Sequence, residues 1–346
     1  AWKPNASATY TLGYRLDPTR ALDSDSVTGS DRGTVILGAQ SQLNDRFTYT
    51  TEYSYSAFGS EPALQTTYGV TYTPSDTWRY DLGLVGGENT ESDGTLIQRR
   101  GFSFGVAYSG GEGDRAGFKG EYRTEDSTNP ARAEDRETVL FSGAFERSTS
   151  PDWRLVGAFD VVVSEADEDN LRDGRYFEGK LGYAYRPVDN DRLNALLSYT
   201  FLYDLPGADQ VNVDGDDDGP KQRSHIINLA ANYDLNQQFT LGGKYGFRYR
   251  EEADRGSDDF TSSVAHLAVV RLDYHIVHNW DIMGEVRAMV FPDENTTDYG
   301  SLLAVYRDFG DNARIGAGYS WGGVNDDLRS FETNRSGVFL NVIGKF

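Results

Sequence analysis

The stretch at 139–163, VLFSGAFERSTSPDWRLVGAFDVVV, decides the fold. Val139, Phe141, Gly143 and Phe145 alternate with Leu140, Ser142, Ala144 and Glu146. After the turn Ser148-Thr149-Ser150-Pro151-Asp152, Trp153, Leu155, Gly157, Phe159, Val161 and Val163 alternate with Arg154, Val156, Ala158, Asp160 and Val162. One row is apolar and the other is mixed and charged. A period of two marks a strand, because successive side chains of an extended chain leave on opposite faces. Two such runs about one short turn predict an antiparallel hairpin whose faces meet different surroundings.

The unit recurs around turns at Asn44-Asp45, Pro74-Ser75-Asp76, 110–114, 187–191, Asn236-Gln237, Val277-His278-Asn279 and Gly310-Asp311-Asn312. With one strand near 6–16 and a last one at 335–346, the chain reads as about 18 strands of roughly ten residues, the length that crosses a bilayer at a tilt. Between the pairs lie longer loops rich in acid. Composition agrees: Tyr 22, Phe 18 and Gly 38 against Pro 10 suit strands and tight turns. No cysteine is present and only four histidines are, which excludes a thiolate nucleophile or a Cys-based zinc site. The longest apolar runs, such as Val264-Ala265-His266-Leu267-Ala268-Val269-Val270, fall far short of the roughly 18 residues of a spanning helix. A membrane protein of this composition has to be a closed barrel, in which every backbone group pairs around the ring.

Aromatic placement separates a membrane barrel from a soluble sandwich or propeller. Tyr72, Trp78, Phe145, Trp153, Tyr185, Tyr233, Phe239, Tyr274, Trp280 and Phe309 all stand beside short turns on the apolar row, as a ring girdle at one interface predicts. A second belt is expected near the long loops, at Tyr55, Tyr122, Tyr203, Tyr249 and Trp321. A propeller would repeat at a constant blade length, whereas the turn spacing here drifts between roughly 30 and 48 residues.

The chain ends on Gly337-Val338-Phe339-Leu340-Asn341-Val342-Ile343-Gly344-Lys345-Phe346, with Val338, Leu340, Val342, Gly344 and Phe346 in one row. This resembles the C-terminal signature of bacterial outer-membrane β-barrel proteins. The resemblance implies that the last strand is recognised by the barrel-assembly machinery and that Phe346 joins the girdle facing the periplasm. The expected fold is therefore all-β: a single transmembrane antiparallel β-barrel over 1–346, with short periplasmic turns, longer acidic extracellular loops and both termini periplasmic. The opening Ala1-Trp2-Lys3-Pro4 suggests a mature chain or the C-terminal part of a longer precursor.

With the rings facing lipid, alternation assigns the other row to the lumen. That row comprises Arg79, Asp81, Arg99, Arg115, Lys119, Glu121, Arg123, Arg154, Asp160, Glu178, Lys180, Lys244, Arg248, Arg271, Asp273, Glu285, Arg287, Arg307 and Arg314. It is mildly basic although the chain carries −21, so acid concentrates in the loops. A barrel of about 18 strands is too wide for side chains to fill and leaves an aqueous channel. The expectation is passive, porin-like diffusion of small hydrophilic solutes through a mixed-charge lumen, with outer-membrane lipid and lipopolysaccharide around it. The alternative is a barrel that anchors or exports a larger surface protein or polymer. Loops 17–32, 124–136, 164–175, 204–222 and 251–262 are the candidates for folding inward. Asp214, Asp216 and Asp218 space carboxylates as a Ca²⁺ loop would, but without the closing glutamate of an EF-hand. No other cofactor is expected. His225, His266, His275 and His278 do not fall with a serine and an acid at the outer end, which disfavours catalysis, and acidic loops repel nucleic acid.

Overall fold

The computed structural model describes residues 1–5, 7–15, 34–56, 63–90, 95–127, 136–166, 174–189, 192–205, 221–254, 257, 259–277, 279–309, 313–324, 328, 333–334 and 336–344. The strands are β1 (Trp2–Asn5), β2 (Ala8–Arg15), β3 (Thr34–Gln42), β4 (Phe47–Ser56), β5 (Ala63–Tyr72), β6 (Trp78–Thr90), β7 (Leu96–Ser109), β8 (Arg115–Ser127), β9 (Arg136–Ser148) and β10 (Trp153–Ala166). There follow β11 (Gly174–Tyr185), β12 (Leu193–Leu205), β13 (Lys221–Asp234), β14 (Phe239–Ala253), β15 (Thr261–Val277), β16 (Trp280–Phe291), β17 (Thr296–Phe309), β18 (Ala313–Ser320), β19 (Gly323–Val324), β20 (Thr333–Asn334) and β21 (Gly337–Gly344). Nineteen of them belong to one sheet, and β19 and β20 form a separate pair. The expected count was about 18; the difference is β1, a four-residue strand paired antiparallel with β2.

Two compact units divide the chain, the first covering 1–145, 159–177 and 205–219, the second 146–158, 178–204 and 220–346. In the first, β2 through β8 pair each with the next, antiparallel and without a break in register. In the second, β12 through β18 also pair each with the next, antiparallel, with one shift of register between His275 and Val277 on β15, and β21 completes the run on β18. Asparagine closes a hairpin in each unit by the same device. The Asn44 Oδ1 accepts the amides of Arg46 and Phe47, both at 2.9 Å, and the Asn236 Oδ1 accepts those of Gln238 and Phe239 at 2.8 and 3.0 Å. A short side-chain carbonyl reaching two residues ahead mimics a backbone turn, so Leu-Asn-x-x-Phe folds back the same way twice. The β16–β17 connection is also tight: 292–295 closes with the Asn295 amide on the Pro292 carbonyl at 3.2 Å, where a longer acidic loop was expected.

Register fixes the rows. On β6, Trp78, Tyr80, Leu82 and Leu84 share a row and are exposed, and their partners on β7 are Tyr108, Val106, Phe104 and Phe102. On β15 the exposed row holds Val270 and Leu272, partnered on β16 by Val286 and Gly284. On β21 it holds Val338, Leu340 and Val342, each more than half exposed. A water-soluble protein rarely exposes so continuous an apolar surface.

Candidate functional site

The ring row is the first feature the strands position. In the first unit Phe47 stacks on Tyr72 with centroids 4.6 Å apart, Tyr72 lies 6.3 Å from Tyr80, and Trp78 packs against Tyr80 and Tyr108 at 6.3 and 5.0 Å. In the second, Trp153 meets Tyr183 and Tyr185 at 4.7 Å each, and Phe239 stacks on Tyr274 at 4.6 Å. Cross-strand ring pairs of this kind contribute about 0.5–1.5 kcal/mol each. Phe145 and Tyr233 share the exposed row. Phe309 is placed by its backbone opposite Ala313, and Phe346 lies outside the described residues. Phe47, Tyr80, Tyr108 and Tyr183 extend the girdle beyond the residues that the turns alone indicated. Nearer the long connections, two histidines of this row are held by tyrosines: Tyr199 and His225 share a hydrogen bond of 2.7 Å, and Tyr245 and His266 one of 2.9 Å.

The opposite row carries the charge, bound largely in pairs. In the first unit Arg79 lies 2.9 Å from Asp81, which also accepts the Thr71 hydroxyl at 2.6 Å. Arg99 reaches Glu125 at 2.5 Å, and Glu121 sits between Lys119 at 3.2 Å and Arg123 at 2.6 Å. Arg115 shares that row of β8 with Lys119. In the second unit Arg154 pairs with Glu146 and Arg287 with Glu285. Arg271 lies 2.9 Å from Asp273 and donates to Asn232 at 3.0 Å. Partly exposed pairs of this sort add only about 0–1 kcal/mol each; their consequence is that long side chains lie along the sheet in fixed positions. By alternation Asp160 follows Arg154, Glu178 and Lys180 face together on β11, and Lys244 shares the β14 row with Arg248.

Arg307 departs from the expectation. It stands directly opposite Trp280 and Ile315, so it belongs to the ring row, and its guanidinium lies 5.3 Å from the centre of the Trp280 ring. A cation at a girdle satisfies itself against an aromatic face and headgroup oxygens. Asp214, Asp216 and Asp218 lie outside the described residues, as do most residues of the loops expected to fold inward.

Near the short-turn ends of β14–β18 the charged row encloses a cavity of about 480 Å³, lined by Thr240, Arg271, Asp273, His275, Asp281, Met283, Tyr306 and Arg314 among others. Asp281 is its hub: His275 Nδ1 lies 2.6 Å from one oxygen and Arg314 Nη2 2.6 Å from the other. Arg314 also lies 3.7 Å from Asp308 and over the Tyr306 ring at 4.7 Å.

Further along the same row the character changes. Ile226, Ala265, Leu267, Val269 and Met289 form a buried apolar cluster, and Leu328, from the segment between β18 and β21, is seated on it. Arg248 is 2% exposed; its Nη1 donates to the Leu328 carbonyl at 2.7 Å and its Nη2 to the Ser224 hydroxyl at 3.1 Å. None of the loops expected to fold inward includes Leu328. One signal was available: in the run 264–270 the row that should be charged reads Ala265, Leu267 and Val269, which breaks the alternation and means that this face is also covered.

Comparison with known proteins bears on the fold. A family model described as "Putative MetA-pathway of phenol degradation" matches residues 119–260. No curated protein matches the chain. Among solved structures, a mutant of the ferric enterobactin receptor PfeA from Pseudomonas aeruginosa is similar with a TM-score of 0.60 at 9% identity, covering 98% of this chain and 68% of the receptor. The ferric-catecholate import receptor Fiu from E. coli is similar with a TM-score of 0.50 at 11% identity, covering 98% of this chain and 71% of Fiu. At such identities the likeness speaks of fold. The all-antiparallel sheet with an exposed apolar, ring-edged row is the fold seen in these bacterial outer-membrane β-barrel receptors.

Proposed function

We propose that the chain is an integral outer-membrane channel through which small hydrophilic solutes diffuse passively, with the short turns and both termini on the periplasmic side. The observation that carries this reading is the division of the sheet into two rows, one apolar and exposed, the other lined with paired charges such as Arg79–Asp81 and Arg271–Asp273. A charged row is costly against lipid and favourable against water, and a barrel of this strand number encloses water. Paired charges of both signs leave a polar surface of modest selectivity, without a chemical step. Lipid and lipopolysaccharide would contact the ring row, and β21 would be the strand that the assembly machinery takes up.

The matched family description favours one addition. Residues 119–260 include much of β8 through β14, and a link to phenol degradation suits small aromatic solutes among those carried. Planar-bilayer recording of the purified chain tests the channel. Discrete conductance steps are expected; a silent membrane with protein demonstrably inserted overturns the proposal and leaves the anchoring or exporting barrel as the better reading.

A further inference from the structure

We infer that the apolar shelf on β13–β16 beneath Arg248 is a binding subsite for a small organic acid with a branched or aromatic body, held in this structure by the chain's own Leu328. The inference rests on the channel reading and names a class of solute for it. Residues facing water along a channel have no reason to be apolar, yet Ile226, Leu267 and Met289 are, at 1%, 0% and 1% exposure. Among the described residues the isobutyl group of Leu328 completes the cluster, and Phe291 packs against it. The Leu328 carbonyl oxygen lies 2.7 Å from Arg248 Nη1. An apolar body below and an acceptor oxygen against a guanidinium above are also the two halves of a carboxylic acid of similar size, and a carboxylate makes the stronger, charge-assisted bond.

The seat is shaped for such a group. A Cβ at Gly246 would stand 2.6 Å from Leu328 Cδ1, 2.8 Å from Asn228 Oδ1 and 3.5 Å from Leu267 Cβ, so the absent side chain at 246 leaves the room that the leucine fills.

Sodium 4-methylpentanoate reproduces the isobutyl group and the acceptor, and acetate supplies only the acceptor. Calorimetric titration of the full chain in detergent micelles should show saturable binding of 4-methylpentanoate, at least about tenfold tighter than acetate. Leu328→Ala should tighten it by about another tenfold, because the chain's own side chain no longer competes. Gly246→Val, which fills the seat, should abolish it. Equal titration of the wild type and Gly246→Val, no preference over acetate, or no gain in Leu328→Ala overturns the inference; if Leu328→Ala does not fold, the wild type and Gly246→Val decide alone. Calorimetry does not depend on ion flow. Binding in a silent bilayer therefore refutes only the channel, and conductance without binding refutes only the subsite.

Discussion

Replacing Leu84 by arginine separates a lipid-facing row from a water-facing one. Leu84 is the central residue of the thirteen-residue β6 and is 58% exposed, opposite Tyr68 on one neighbour and Phe102 on the other. At about 3.4 Å per residue, roughly 20 Å of strand lies on each side; a tilt of about 40° projects this to about 15 Å along the membrane normal, half the hydrocarbon thickness. Leu84 therefore sits at the midplane, where an arginine on the lipid face costs about 2–4 kcal/mol. On a water-facing surface the same change is worth within about 0.5 kcal/mol. Val85→Arg, one residue on and on the charged row, is the matched control, with an expected cost below about 1 kcal/mol. Guanidinium titration of folding into phospholipid vesicles reads both. Equal costs for the pair, or a cost for Leu84→Arg below about 0.5 kcal/mol, would refute the row assignment.

Other perturbations probe separate parts of the molecule. Asp281→Asn removes the anion shared by His275 and Arg314 and should shift the reversal potential under a salt gradient toward anions; an unchanged potential would mean that this cavity is off the ion path. In the wild type, weak anion preference, within about tenfold, is expected from paired charges, and strong cation selectivity would contradict it. Leu267→Ala, which hollows a fully buried position under Leu328, should cost about 2–5 kcal/mol in the same vesicle titration. Asn279 holds φ 76° in the turn before β16, so Asn279→Val should cost at least about 1 kcal/mol, while Asn279→Gly should be nearly neutral.

Much of the fold was legible because each strand repeats one local rule. Alternation at 139–163 indicated a hairpin, and ring residues beside short turns distinguished the exposed row from the charged one. Arg307 escaped this logic because it stands at a girdle, where a cation and a ring tolerate each other on one face. The tight turn at 292–295 escaped it because its acidic sequence reads like the longer loops. Leu328 escaped it because what one leucine covers depends on strands some 40 to 100 residues earlier in the chain, and no local period encodes that.

By itself, then, the order of residues determined the all-β class, the division into two rows and the charge along one of them, since these follow from which side of an extended chain each side chain leaves. Only the tertiary structure decided which charges pair, that Asp281 joins His275 to Arg314, and that an apolar seat under Arg248 holds Leu328. The physical reason is register: cross-strand partners are set by how far each strand slides along its neighbour, and that is settled by the whole sheet at once.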